Sequence, residues 1–277
     1  MDNFYIIINE SKDRELEITK QICEYLESQG KRCRLAQLDT MGYLIHEKIP
    51  SGIDCALVLG GDGTIIRASR ELASLEVPIL GFNLGTLGYL AEVEISDFKE
   101  SLEKVFLGDF TIEKRMMLQG SINGKVSKTA INDIVITREG SLRIVNFDVY
   151  VNGVLLNNYT ADGIIISTPT GSTGYNLSAG GPIVEPTANI VVMSPICSHA
   201  LNTRSIVLSS DDVIEVEVGK ERFGNTERMA TTFDGSEPVS METGDRIVIS
   251  KSKKVTKLVR ITEESFLKTM QTKMKGN

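Results

Sequence analysis

Apolar residues follow two rhythms along the chain, and the change comes near Phe110. Before it, uninterrupted apolar runs alternate with helix-spaced stretches. Phe4 to Ile8, Cys55 to Leu59 and Val77 to Gly81 read as strands buried on both faces, and Arg32 to Leu35 as a further strand. Residues 14–29 carry Leu16, Ile18, Ile22, Cys23 and Leu26 on one side, with Gly30 placed to stop the helix. Ile65, Ile66, Ser69, Leu72 and Ala73 keep a helical spacing, and another helix is expected near residues 97–107. Residues 37–54 are poorly patterned and read as loop, with at most a short helix near Tyr43. Strands alternating with helices imply parallel pairing through right-handed crossovers. In such sheets ligands sit beyond the carboxyl ends of the strands.

After Phe110 the pattern is alternation. MLQGSINGKVSKTAINDIVITRE and IVNFDVYVNGVLL turn at Asn123-Gly124 and Asn152-Gly153, the strongest short hairpin signal, and SIVLSSDDVIEVEVG and RIVIS continue the theme. A helix-like stretch over 264–273 closes the chain and is expected to pack back on the first domain. The expected architecture is an α/β N-terminal domain, a Rossmann-like parallel sheet with a GGDGT loop, over residues 1–110 and rejoined by 259–277. A mostly antiparallel, β-sandwich-like C-terminal domain is expected over 111–258.

Composition narrows the functional classes. The 277 residues are 41% hydrophobic and 24% charged, ordinary for a globular protein with ample core. A formal net charge of −7 argues against nucleic acid or an anionic membrane as the main partner. Cys23, Cys33, Cys55 and Cys197 show no C-x-x-C pair and no metal-ligand spacing, and read as small hydrophobes in a reducing compartment. MDNFYIIINE lacks a basic leader region and reads as a first strand, and no stretch approaches the ~20 apolar residues of a membrane span. The expected location is cytoplasmic.

The stretch LVLGGDGTIIR carries the most chemistry. An apolar strand ends abruptly in Gly60-Gly61-Asp62-Gly63-Thr64 and a helix follows. Adjacent glycines let a ligand approach backbone N–H groups. Thr64 suits the N-cap of the following helix, whose free N–H groups and dipole favour phosphate. Gly60, Gly61, Gly63 and Thr64 are therefore candidate phosphate binders. Asp62 would repel phosphate, and reads as an acceptor for a hydroxyl or a ligand for a phosphate-bound cation. The plain alternative is that Asp62-Gly63 is a tight turn. A second candidate runs from Asp162 through Ser167-Thr168-Pro169-Thr170-Gly171-Ser172-Thr173-Gly174-Tyr175, where small donors and acceptors suit a sugar or base; an ordinary Ser/Thr/Gly/Pro loop reads the same way. His46 and His199 are the only histidines, too few for a zinc site. No G-x-S-x-G, no G-x-x-x-x-G-K-[ST] and no suitably placed G-x-G-x-x-G occurs.

LGGDGTIIRA (59–68), GFNLGTLGYL (81–90), INDIVI (131–136), DGIIISTPTGSTGYNLSAGGPI (162–183) and PICSHALNTRSIVL (195–208) together resemble one family, the NAD kinases. The glycine-acid loop alone is shared with lipid kinases and phosphofructokinases; the TPTGSTGY and PICSHALNTR stretches select NAD kinase. The resemblance implies phosphorylation of the 2′-hydroxyl of the adenosine ribose of NAD, giving NADP, with ATP as donor and a divalent metal, Mg²⁺ or Mn²⁺. It implies Asp62 as the catalytic aspartate that orients the hydroxyl and accepts its proton, Gly63 against the substrate and Arg67 meeting phosphate. Asn132-Asp133 resembles an Asn-Glu pair on ribose hydroxyls, here one methylene shorter. Arg143, Thr160 and Asp162 fall on the dinucleotide side. Thr173, Gly174, Tyr175, Asn176 and Ser178 resemble its adenine and ribose wall, with Gly174 in place of the usual Ala. Ser236 stands where the family carries Gln. A homo-oligomer, tetramer or dimer, built through the β domains is implied as well, without nucleic acid or membrane. A lipid kinase on the same glycine-acid loop and a non-catalytic dinucleotide sensor remain as alternative readings.

Overall fold

The computed structural model describes residues 1–85, 88–140, 145–198, 204–219, 226–262 and 266–275. The chain divides into two units, residues 1–114 with 255–277, and residues 115–254.

The first unit runs β1 (Asn3–Ile8), α1 (Glu17–Ser28), β2 (Arg32–Leu35), β3 (Cys55–Gly60), α2 (Asp62–Leu72), β4 (Ile79–Asn83), the short β5 (Val93–Glu94) and α3 (Phe98–Leu107). β1 to β4 pair in parallel in the order β4-β3-β1-β2. Alternate residues of each strand serve opposite faces. Phe4, Ile6, Leu57, Leu59, Leu80 and Phe82 meet Ile22, Leu26, Leu102 and Val105, whereas Tyr5, Ile7, Val58 and Ile79 meet Ile65, Ala68 and Leu72. Helices on both faces explain why these strands read as continuous apolar runs. Each fully buried Ile, Leu or Phe contributes about 1.5–3 kcal/mol over its exposed state.

Two element boundaries differ from the sequence pattern. α1 starts at Glu17, not at residue 14. The Asp13 carboxylate accepts the N–H groups of Ile18 and Thr19, at 3.3 and 2.9 Å, and so supplies the partners a helix start lacks. The short helix in the unpatterned stretch is a 3₁₀ turn at His46–Lys48; at Tyr43 the chain makes a turn closed by Asp39, which accepts the N–H groups of Met41 and Tyr43.

β6 (Thr111–Ile122) leads into the second unit, which continues through β7 (Val126–Ala130), β8 (Asp133–Arg138), β9 (Val145–Val151), β10 (Val154–Ala161), β11 (Gly163–Ser167), α4 (Tyr175–Ser178), β12 (Ile190–Ile196), β13 (Ile206–Ser209), β14 (Ile214–Val218), β15 (Arg228–Phe233) and β16 (Val239–Glu242). One antiparallel sheet has the order β13-β12-β11-β8-β15-β16. Facing it are β10, β9 and β14, joined by the first residues of β17 (Arg246–Arg260). Ile134, Ile136, Ile164 and Ile166 of one sheet pack on Phe147, Val149 and Val216 of the other, so this unit is the expected β sandwich. Asn123 and Gly124, and likewise Asn152 and Gly153, have φ of 49°, 68°, 51° and 77°. Paired left-handed residues match the twist of a two-residue hairpin, which explains the Asn-Gly choice.

The last residues of β17 return to the first unit, where Leu258 pairs with Ile79 in parallel. α5 (Phe266–Met274) follows, and its Phe266 ring lies 5.8 Å from that of Tyr89, with Lys273 Nζ 4.6 Å from the same ring. Among the described residues no helix is long and apolar enough to cross a membrane.

Candidate active site

In the first unit the carboxyl ends of three parallel strands converge on one glycine loop. Gly60 ends β3, and a Cβ there would lie 2.4 Å from Thr64 Oγ1, so only glycine lets the helix start this close to the strand. Gly61 is the N-cap of α2, in extended conformation. Thr64 is therefore not the cap expected from the sequence. It sits buried in the first turn, donating its N–H to Gly61 O at 2.9 Å, and its hydroxyl accepts Asn9 Nδ2 at 3.5 Å. The crowding that demands glycine is at Gly60; at the cap position a Cβ on Gly61 would meet only Lys12 Nζ, at 3.4 Å.

Asp62 is not in a simple turn; it is the first residue of α2. Its Oδ2 accepts Tyr89 N–H at 2.7 Å, and its Oδ1 accepts Leu90 and Ala91 N–H at 3.1 and 3.4 Å. Gly88 is glycine for the same reason, since a Cβ there would stand 1.9 Å from Asp62 Oδ1. Gly63 is exposed in the first turn, with open space where a side chain would go.

Beside this loop lies a cavity of about 450 Å³, walled by Asn9, Ser11, Lys12, Asp39, Gly61, Gly63, Thr64 and Arg67 among others. Lys12 Nζ stands 3.4 Å from where a Gly61 Cβ would lie and 2.8 Å from that of Gly85, so its ammonium sits between the β3 and β4 loops. Arg67 lies one turn into α2, its Nη1 2.7 Å from the Cβ position of Gly42. Among the described residues neither cation is salt-bridged. Two cations, loop N–H groups and a helix N-terminus are together what an anion would favour. Lys12 and Asn9 were not singled out from the sequence. Their signal was position alone, a polar cluster directly after a buried strand in a parallel sheet.

In the second unit the organising group is Asp234, also missed. Asp234 and Gly235 have φ of 52° and 65°, and the turn directs the carboxylate at the N–H groups of Ile131, Asn132 and Asp133, at 2.9, 2.7 and 3.2 Å. Asp133 is buried beside it. Burial, and then the Asp234 charge, push its carboxyl up to about 7. The 168–178 loop is fastened to the same place. Thr168 donates its hydroxyl to Ile131 O at 2.6 Å and its N–H to Asn132 O at 2.8 Å. Gly171 packs so tightly that a Cβ would lie 2.2 Å from Asn132 O. The Cβ position of Gly174 is 3.7 Å from Asn132 Nδ2 and 4.0 Å from Asp133 Oδ2. The structure thus brings Asn132, Asp133, Gly174 and Asp234 together.

The remaining candidates fall into three groups. Tyr175 is 45% exposed and Ser178 is exposed, both on α4, and Thr173 is half-buried just before it. Asn176 is fully buried, and its amide is used within the protein: Nδ2 donates to Ser172 O and Pro182 O, both at 3.0 Å, and Oδ1 accepts the Ser194 hydroxyl at 2.7 Å. Thr160 donates to Asn146 Oδ1 at 2.9 Å, and Asp162 is gripped by Arg138 at 3.1 and 3.3 Å. Asn132 Oδ1 and Ser236 Oγ are buried and have no hydrogen-bond partner among the described residues. Arg143 and His199 lie outside the described residues.

A glycine loop at a helix N-terminus, a fixed carboxylate and an anion cavity define a phosphotransferase. Residues 4–110 match the family model described as the ATP-NAD kinase N-terminal domain, and residues 131–261 the ATP-NAD kinase C-terminal domain. The chain is 45% identical to the NAD kinase of Lachnoclostridium phytofermentans, over 99% of each, and 44% identical to that of Lachnospira eligens, over 99% of this chain and 100% of the relative. It superposes on an Archaeoglobus fulgidus NAD kinase in complex with ATP, with TM-score 0.78, 25% identity and 98% of both chains covered. Yeast NADH kinase complexed with NADH shares the fold, with TM-score 0.88 at 24% identity over 100% of this chain and 88% of the yeast chain. The chain belongs to the NAD kinase family, and it is an enzyme that phosphorylates NAD. The lipid-kinase and sensor readings are thereby set aside.

Proposed function

We propose that the enzyme moves the terminal phosphoryl group of ATP to the 2′-hydroxyl of the adenosine ribose of NAD, with Asp62 accepting the hydroxyl proton. The observation that carries this reading is the Asp62 carboxylate, held through both oxygens by backbone N–H groups at the head of α2. Held this way it keeps one lone pair, on Oδ2, free to orient an alcohol. In a loose phosphoryl-transfer transition state the proton leaves late, so a positioned carboxylate suffices as base.

The donor's phosphates belong in the cavity lined by Gly61, Gly63, Thr64, Lys12 and Arg67. There the α2 dipole and the two cations oppose the charge spreading over the transferred group. NAD belongs on the second unit's loops. Asn132 and Asp133 take ribose hydroxyls there, Asn132 Oδ1 and Ser236 Oγ find partners, and Gly174, Thr173, Ser178 and the exposed Tyr175 ring form the wall. Asn176 supports that wall from behind. Asp133, holding its proton to about pH 7, donates a hydrogen bond where an ionised acid only accepts. Arg143, Thr160 and Asp162 complete the dinucleotide side in this reading.

Among the described residues no three His, Cys, Asp or Glu side chains gather as a metal site would need. We therefore assign no metal ligand to the protein. A divalent ion, Mg²⁺ or Mn²⁺, would be carried mainly by the donor's phosphates and would offset their charge. The working form is a cytoplasmic homo-oligomer, tetramer or dimer. In support, β10 is an edge strand and exposes Val154, Leu155 and Leu156.

The test is NADP formation from NAD, ATP and Mg²⁺ by the wild type and by Asp62→Asn, with NAD binding measured on both. The expected result is a loss of roughly 10²–10⁴ in kcat with binding retained. Equal turnover would remove Asp62 from the proton transfer.

A further inference from the structure

Outside the site, one pair of reactive groups stands unusually close. Cys23 Sγ on α1 and Cys33 Sγ on β2 are 2.7 Å apart, well inside the contact distance of two unbonded sulfurs. The local fold sets this distance. Gly30, at φ 70°, ends the helix, and Lys31 N–H returns to Leu26 O at 2.9 Å, so a three-residue turn lays β2 back along α1. Register does the rest. Cys33 pairs with Phe4, whose side chain faces the α1 layer, so Cys33 faces it too. Both thiols are half-buried, at the rim of the core and open to small molecules, and β2 is the outermost strand of its sheet.

We propose that Cys23 and Cys33 form a reversible dithiol–disulfide couple that staples α1 to the edge strand β2. The two sulfurs play different parts. Cys33 lends its S–H to Cys23, which holds Cys23 below the usual thiol range and Cys33 above it. One sulfur attacks as the thiolate and the other resolves, with Cys23 as the attacking sulfur in this proposal. With a peroxide as oxidant, Cys23 sulfur attacks one peroxide oxygen, the O–O bond breaks and water leaves, giving the sulfenic acid. Cys33 sulfur then attacks the Cys23 sulfur, the S–O bond breaks, and a second water carries off the remaining proton. Two thiols and one hydrogen peroxide become one disulfide and two waters. A thiol reductant returns the pair to its starting state. Cys55, fully buried with its thiol pushed up to about 12, and Cys197, exposed without a neighbouring cysteine, have no part in it.

The experiment treats the full-length reduced protein with a small excess of hydrogen peroxide. Denatured thiol titration, intact mass and peptide mapping follow. The expected result is a fall from four thiols to two, a mass loss of about 2 Da, one cross-linked peptide joining residues 23 and 33, and full reversal by dithiothreitol. The oxidised form should also melt several degrees higher, since the unfolded chain is constrained. Cys23→Ser and Cys33→Ser should each abolish the 2 Da loss, the Cys33→Ser protein accumulating sulfenic acid at Cys23 instead. Four thiols surviving, oxygen adducts without a cross-link, or a cross-link involving Cys55 or Cys197 would each overturn the proposal.

Discussion

Replacing Gly88 by alanine tests the role of Asp62 without touching its charge. The added methyl would stand 1.9 Å from Asp62 Oδ1, 2.4 Å from its Cγ and 2.7 Å from its Oδ2. Ordinary non-bonded contact needs roughly 3.5 Å, so the carboxylate must retreat by about 1.5 Å or the loop must move by as much. Either way the bonds from Tyr89 N–H, at 2.7 Å, and Leu90 N–H, at 3.1 Å, are broken or stretched. Hydrogen bonds to a charged group are worth about 1.5–3 kcal/mol each, so the local cost is of the order of 3–6 kcal/mol. Misplacing a catalytic group by about 1 Å costs on the order of 10²-fold in rate. The expected outcome for Gly88→Ala in a coupled NADP assay is therefore a kcat at least about a hundredfold down. NAD affinity, read separately by calorimetry, should fall far less, because most of that ligand's proposed contacts lie on the second unit's loops. Turnover at the wild-type rate would mean that the observed carboxylate position is not the one that works, and the assignment of Asp62 as base would fail with it.

Three further outcomes follow from the same geometry. Asp133 holds a folded-state pKa of about 7 against 3.8 for the free acid, so folding takes up a proton; its stabilisation is complete below pH 4 and is lost as pH rises through 7. Asp133→Asn should remove that slope and gain up to about 4 kcal/mol over the wild type at pH 8 in urea unfolding, with no gain at pH 3.5; an unchanged slope would show that Asp133 ionises freely. Lys12→Ala should raise the KM for ATP or lower kcat by roughly tenfold or more, the worth of one charge-assisted contact, with the KM for NAD unmoved; an effect on NAD alone would take Lys12 out of the donor cavity. Asn176→Ala removes three internal hydrogen bonds of a fully buried amide. It should destabilise by about 2–4 kcal/mol in chemical unfolding, and a neutral result would refute its supporting role.

The sequence made the architecture readable where one physical rule acts alone. Buried parallel strands must be apolar on both faces, and Asn-Gly turns have few other uses, so Phe4 to Ile8 and the hairpins at Asn123 and Asn152 were legible at sight. The Gly60 to Thr64 segment was legible as a glycine loop between a buried strand and a helix, but its details were not. Thr64 has good capping chemistry, yet α2 begins two residues earlier with Gly61 as its cap, and Thr64 is packed against Gly60 instead. Lys12 and Asp234 escaped for a related reason. Their meaning comes from what folding lays beside them, two glycine loops for one and three N–H groups for the other. Asn176 shows the converse: a residue type suited to a ligand turns its whole amide inward, because the loop behind it has carbonyls to satisfy.

The grip of the 89–91 backbone on Asp62 also limits how complexes of this enzyme are to be trapped. The Tyr89 N–H that holds the carboxylate belongs to the residue whose ring meets Phe266 and Lys273 of the C-terminal helix. Replacing Asp62 would change its hold on this backbone as well as remove the proposed base. A frozen substrate complex is better sought by leaving the protein whole and giving it a donor whose terminal bridge resists cleavage.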